Sequence, residues 1–257
     1  ESVELGTQCL QDLFQRNKKI KKNDAEGLVL GQVLTRGLGM NTARQVALKS
    51  GMSQSSFAYV VNQVCGSGMR AAIEASLKIH TKECDLVIAG GQESMSRARH
   101  VYLSRTGEKK LGNNIFIDTL VHDGLTDAFS QEHMGITAEN VAEKFQITRD
   151  EQDRFALASQ DKALNAQKES KFNDEIVNVK IKSKKSEINF NALSSAITVT
   201  EFSSIFSITV EINAVLSPNS RSIASPTCGF GCSDTISMYF LISCIILFIS
   251  YCLFVSI

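Results

Sequence analysis

At 257 residues the chain can hold one large domain or two small ones, with room for a sizeable core, because single cores seldom grow past roughly 250 to 300 residues. Lys plus Arg and Asp plus Glu are balanced at 27 each, so nothing suggests the basic face that phosphate-backbone binding needs; nucleic acid is not an expected partner. The seven cysteines, Cys9, Cys65, Cys84, Cys228, Cys232, Cys244 and Cys252, make neither a disulfide ladder nor paired metal half-sites, so they read as free thiols of a reducing compartment and no metal site is expected.

Helix and strand patterns alternate along the first part of the chain, which argues for an α/β layered domain. Leu5 to Arg16 has helical spacing and runs into the charged turn Lys18 to Asp24. Gly27 to Leu34 (GLVLGQVL) is the apolar run of a buried strand, Asn41 to Ser50 reads as a helix, and Phe57 to Val64 is rich in the β-branched and aromatic residues of a strand. Gly66, Ser67 and Gly68 break that strand before Met69 to His80, which carries apolar residues at helical spacing. Asp85 to Ala89 (DLVIA) is a further short buried strand closed by Gly90 and Gly91. Residues 96–135 show little periodicity and are dotted with glycine and asparagine, so a long surface excursion is expected; ordered loops of that length are usually functional. Helices resume at Thr137 to Phe145 and Arg149 to Gln167, the second behind a Thr148/Glu151 capping box, and Phe172 to Lys182 alternates as a strand does.

The composition changes near residue 186. Residues 1–185 hold 49 of the 54 charged side chains and no proline, while the remainder holds only Glu187, Glu201, Glu211, Arg221 and Asp234, with Pro218 and Pro226. Beyond about residue 190 Ser, Ile, Phe, Asn and Leu dominate without a steady period, and Ile236 to Ile257 is uncharged and long enough to span a bilayer. Two readings of this stretch stay open: a translated AT-rich noncoding extension, and a membrane tail anchor. No basic-then-apolar leader precedes the first helix, so no secretory signal is visible.

One segment has the form of a nucleophile site. Val60 to Arg70 (VVNQVCGSGMR) sets Cys65 where a strand gives way to a helix, with two glycines that let backbone approach a ligand closely. Amides and the positive dipole end at a helix amino terminus favour a thiolate. Taken singly, a cysteine is more often a small buried hydrophobe than a nucleophile.

The neighbours change that balance. NQVCGSGMRA resembles the acyl-enzyme signature of thiolases, and the resemblance continues through VLGQVL (29–34), NTARQ (41–45), AGGQESMS (89–96), DGLTDAF (123–129), HMGITAENVAEKF (133–145) and TRDEQDRFALASQDKA (148–163). The motifs stand in the family's order and spacing over roughly residues 1–188. The resemblance implies a thiolase-like layered α/β fold, represented by its first half plus a loop domain at 96–135, with the second half missing and an unrelated tail from 189 to 257. It further implies acyl transfer between coenzyme A thioesters, as in an acetyl-CoA C-acetyltransferase, with Cys65 as the acylated nucleophile and its own amide in an oxyanion hole. His133 and Met134 match the motif beside the acyl and pantetheine pocket and are expected to contact substrate, while Glu93, Ser94 and Met95 shape the pocket floor. The resemblance implies no tightly bound cofactor, acetyl-CoA and acetoacetyl-CoA as substrates, a homo-oligomer (a tetramer in intact family members) and, by family, a mitochondrial or cytoplasmic location, with a membrane location only if the 236–257 stretch is an anchor.

The departures are equally specific. The family's opening strand is missing, and no asparagine motif, G-H-P histidine or C-x-G cysteine of the second domain follows residue 188; the CGFGC of Cys228 to Cys232 is read as coincidence. No histidine lies beyond His133, and His80, His100 and His122 read as surface residues. The expectation is therefore a family nucleophile without its base and acid, inactive in the full reaction. The rivals are a membrane-anchored pseudoenzyme and a cysteine hydrolase pairing Cys65 with His133.

Overall fold

The computed structural model describes residues 1–105 and 111–179, together with the backbone of strand segments at 180–182, 187–193, 196–200, 207–210 and 255–256. Helix α1 (Ser2–Arg16) opens the chain behind a capping box made by Glu1 and Glu4. It is followed by β1 (Gly27–Gly31), α2 (Thr42–Ser50), β2 (Phe57–Val61), α3 (Ser67–His80) and β3 (Leu86–Glu93). These six elements form a three-layer sandwich. β1 lies between β2 and β3 and runs parallel to both, with Gly27 opposite Phe57 on one side and Val87 on the other.

Side chains alternate across a strand, so a strand buried on both faces must be apolar throughout. Leu28, Leu30, Leu86 and Ile88 face one layer, where they meet Val3, Leu10, Leu13 and Phe14 of α1 and Ala43, Val46 and Ala47 of α2. Val29, Val87 and Ala89 face the other, against Ala71, Ala75 and Ile79 of α3. The small alanines let α3 lie close to the sheet. Its opposite stripe, Met69, Ile73 and Leu77, is exposed.

Strands are shorter than their apolar runs at β1 and β2: Gln32 to Leu34 and Asn62 to Val64 leave the ladder to form turns at the carboxyl ends. β3 is longer than its run, continuing through Gly90 and Gly91, because both glycines stay in register with Leu30 and Gly31. The region after Met95 is irregular, as its composition predicts, with a short ladder of β4 (His100–Val101) and β5 (Ile117–Asp118) and a π-helical turn at Leu120–Leu125. Two helices follow, α4 (Met134–Lys144) and α5 (Arg149–Lys168), the latter with the capping box of Thr148 and Glu151 in place.

β6 (Ile176–Lys182) pairs with β7 (Glu187–Leu193). β8 (Ala196–Thr200) adds antiparallel to β3, and β9 (Ser207–Val210) to β8. No period was visible past residue 190, yet these strands form. Their β-branched content favours extended backbone, and the outer side of β3 offers unpaired amides and carbonyls. No helix among the described residues is long and apolar enough to cross a membrane. The apolar stretch proposed as an anchor lies outside the described residues apart from β10 (Val255–Ser256), whose backbone pairs with Gln92 and Glu93.

Candidate active site at the β2–α3 junction

Cys65 lies half-buried between the end of β2 and the first turn of α3. The chain turns there in five residues. The Val64 N–H donates to Asn62 Oδ1 (3.0 Å), the Gly66 N–H to the Gln63 carbonyl (3.0 Å) and the Ser67 N–H to the Val64 carbonyl (3.1 Å). Gly66 caps α3, accepting from the Arg70 N–H at 2.9 Å. The thiol-bearing residue therefore directly precedes the positive end of a 14-residue helix, where a developing anion is favoured.

Space for the turn comes from Gly31. A Cβ at that position would stand 2.6 Å from the Ser67 carbonyl carbon and 2.7 Å from the Gly68 nitrogen, so only glycine lets β1 pass this close to the start of α3. The neighbouring turn after β1 is tied to the end of β3. Glu93 is buried, and its carboxylate accepts from the Val33 N–H (2.8 Å) and the Leu34 N–H (3.3 Å). Burial pushes its carboxyl above the ordinary range, opposed by hydrogen bonds from the Val33, Leu34 and Ser94 amides. Beneath it Gln32 and Gln92, both fully buried, are joined to each other and to Thr42 and Ser2, so the carboxyl ends of β1 and β3 form one connected polar layer.

His133 and Met134 lie in the loop region. His133 is exposed and caps α4: its Nδ1 accepts the Gly135 N–H at 3.0 Å, which puts the proton of the neutral ring on Nε2. It also bridges to Thr126, so the DGLTDAF and HMG segments are brought side by side. Met134, half-buried, is the first residue of α4. No side chain of α4 is buried, and in α5 only Gln152 is. The structure thus joins His133 to its motif neighbour and gives Cys65 a framework of its own on the sheet. His100 and His122 are exposed, each beside an aspartate, Asp118 and Asp123. Among the described residues no grouping of three His, Cys, Asp or Glu side chains could hold a metal ion.

Residues 1–206 match the family described as "Thiolase, N-terminal domain". The chain belongs to the thiolase family. An acetyl-CoA acetyltransferase of Rhizobium meliloti (strain 1021) is 48% identical over 186 residues, covering 72% of this chain and 47% of that protein. A probable acetyl-CoA acetyltransferase of Escherichia coli (strain K12) is 49% identical over 179 residues, 69% of this chain and 45% of the relative. The crystal structure of the Bacillus anthracis acetyl-CoA acetyltransferase superposes with a TM-score of 0.70 at 33% identity, covering 74% of this chain and 48% of that one. This thiolase chain spans about half the length of the curated relatives it matches, and its fold is thiolase-like. Two features of the junction were not anticipated from the thiolase motif: the room made by Gly31 and the hydroxyl of Ser67. The run of glycines around Cys65 signals close backbone approach, and a serine two residues past a candidate nucleophile signals a local backbone hydrogen bond.

Proposed function

We propose that this chain carries the acyl-accepting half of an acetyl-CoA C-acetyltransferase, with Cys65 as nucleophile. The Cys65 thiolate attacks the thioester carbonyl of acetyl-CoA, the carbon–sulfur bond to coenzyme A breaks, and the released coenzyme A thiolate takes up a proton. The enolate of a second acetyl-CoA then attacks the acetyl-cysteine, forming acetoacetyl-CoA and returning the thiolate; the reverse sequence cleaves acetoacetyl-CoA. The Cys65 amide donates to the oxyanion of each tetrahedral intermediate, and His133 and Met134 line the acyl and pantetheine side. His133 suits a donor role, since its Nδ1 is committed to Gly135 and its Nε2–H points outward from that bond. The substrate carries the reactive thioester, so no bound cofactor enters the scheme.

The observation that carries this reading is the position of Cys65 at the amino terminus of α3, within a segment, NQVCGSGMRA, that resembles the thiolase acyl-enzyme signature. These 257 residues contain no histidine beyond His133 and no G-H-P motif. Assistance by a general acid and base contributes about 10² to 10⁴ in rate, so by themselves these residues should complete the full reaction slower by about that factor. We divide the chain into the thiolase segment 1–188, with its loop region at 96–135, and the low-charge tail 189–257. Apolar residues of the loop region, Leu111 (92% exposed) and Phe129 (97%) above all, support a role for it in subunit contacts of a homo-oligomer.

Incubation with acetyl-CoA labelled in the acetyl group tests the proposal. Label is expected on the Cys65 peptide, absent from Cys65→Ala, and released as acetyl-CoA on adding coenzyme A. Label that emerges as free acetate would instead make Cys65 the nucleophile of a hydrolase, and an unlabelled Cys65 would end the acyl-acceptor assignment.

A further inference from the structure

The residue before the nucleophile is held in a conformation its side chain disfavours. Val64 has φ +47°, in the left-handed region that β-branched residues rarely adopt. A residue kept there stores on the order of 1–3 kcal/mol and persists only where its surroundings over-determine it. Burial of the isopropyl group does not supply that restraint, since Val64 is 45% exposed. Hydrogen bonds do. Ser67 is fully buried, and its hydroxyl accepts the Gln63 N–H at 2.8 Å while donating to the Val64 carbonyl at 2.5 Å. One oxygen thus bridges the residues on both sides of the strained peptide, from the first position of α3.

We propose that Ser67 is a positioning residue for Cys65: its hydroxyl clamps the left-handed Val64 turn and so fixes the thiol at the amino terminus of α3. The inference rests on the reading of Cys65 as acyl acceptor. Without the clamp, the Gln63 amide loses its bond and Val64 relaxes toward ordinary backbone. Cys65 then swings off the helix axis, and the dipole and amides that favour its thiolate act on it less. Removing the strain at its source should make the clamp dispensable, since glycine adopts positive φ without steric cost.

The test is a four-way comparison of the full chain, Ser67→Ala, Val64→Gly and the double variant. Alkylation of Cys65 by iodoacetamide is followed by peptide mass spectrometry from about pH 6 to pH 9, a range that spans ordinary and lowered thiol titrations. Ser67→Ala is expected to slow Cys65 alkylation at neutral pH by roughly tenfold and to move its half-maximal pH upward, the scale of one relaxed strained residue. Val64→Gly should stay near wild type, and adding Ser67→Ala to it should cost no more than about twofold. A wild-type profile for Ser67→Ala overturns the proposal, as does an equal loss in both backgrounds, or a lower melting temperature with an unmoved pH midpoint. If Ser67→Ala alone does not fold, the step from Val64→Gly to the double variant decides, and a tenfold loss there is the overturning result. Labelling by acetyl-CoA is scored separately: an unlabelled wild-type Cys65 sinks the acyl-acceptor reading while the alkylation cycle still judges the clamp.

Discussion

The sandwich of β1, β2 and β3 with α1 to α3 and the helices that follow residue 120 use similar apolar residues to opposite ends. Every position of β1 and β3 is buried, and α1 to α3 close over both faces. In α4 and α5, by contrast, Ile136, Val141, Phe155, Leu157 and Leu164 all stand exposed, as does Phe145 at the end of α4. Apolar content alone does not make a core; a core needs a second surface at the right distance, and only the first region supplies its own. Cys65 belongs to the region that is self-supporting, His133 and Met134 to the one that is not. The self-supporting framework is therefore the part that carries Cys65, the proposed nucleophile.

That contrast can be broken by mutation, and the largest effects should fall in the sandwich. Leu28→Ala and Ile88→Ala each remove a side chain at most 2% exposed and should cost about 2–5 kcal/mol in urea unfolding. Values below about 1 kcal/mol, the size of a marginal contact, would mean the sandwich is not the stabilising unit. Gly31→Ala should cost about 1–3 kcal/mol, because its methyl meets backbone that has no rotamer to give. The same variant should lower Cys65 reactivity by pushing on the Ser67–Gly68 turn, which alkylation kinetics would read.

A smaller, pH-dependent effect is expected at Glu93. Burial raises its folded pKa above the ordinary 4.5, so the unfolded chain gives up this proton first as pH rises. The stability contributed by the protonated carboxyl is whole below pH 4.5 and is lost as pH climbs through the folded value. Glu93→Gln, which cannot ionise, should flatten the fall in unfolding free energy across that window; an unchanged slope would assign the fall to other groups. In the outlying helices, Thr148→Ala should cost about 1 kcal/mol through loss of the α5 cap, read as reduced helicity by circular dichroism. Phe155→Ala and Leu157→Ala should stay within about 0.5 kcal/mol of wild type, and a core-sized loss at either would erase the distinction between the two regions.

Element type and order were legible because each rests on local pattern. Helical spacing marked α1, α2, α3 and α5, and short apolar runs marked β1, β2 and β3, all within a few residues of their bounds. The capping box at Thr148 and Glu151 was legible for the same reason, being satisfied within four residues. Past residue 190 the pattern failed, since β8 has no period of its own and is defined by the strand it pairs with. At the site, the motif around Cys65 picked out the thiol and the strand-to-helix junction, but it could not show why the junction holds together.

By itself, then, the sequence determined the alternating α/β elements, the family and the cysteine at the head of α3, since these follow from periodicity, turn residues and a contiguous motif. Tertiary structure alone decided that Gly31 admits the start of α3, that Glu93 ties the turn after β1 to the end of β3, and that the Ser67 hydroxyl closes on a left-handed Val64. The physical reason is distance along the chain and the sign of a dihedral angle. Gly31 and Ser67 are 36 positions apart and Val33 and Glu93 are 60, and nothing in valine's own preference announces a positive φ; strand register and helix packing impose all three.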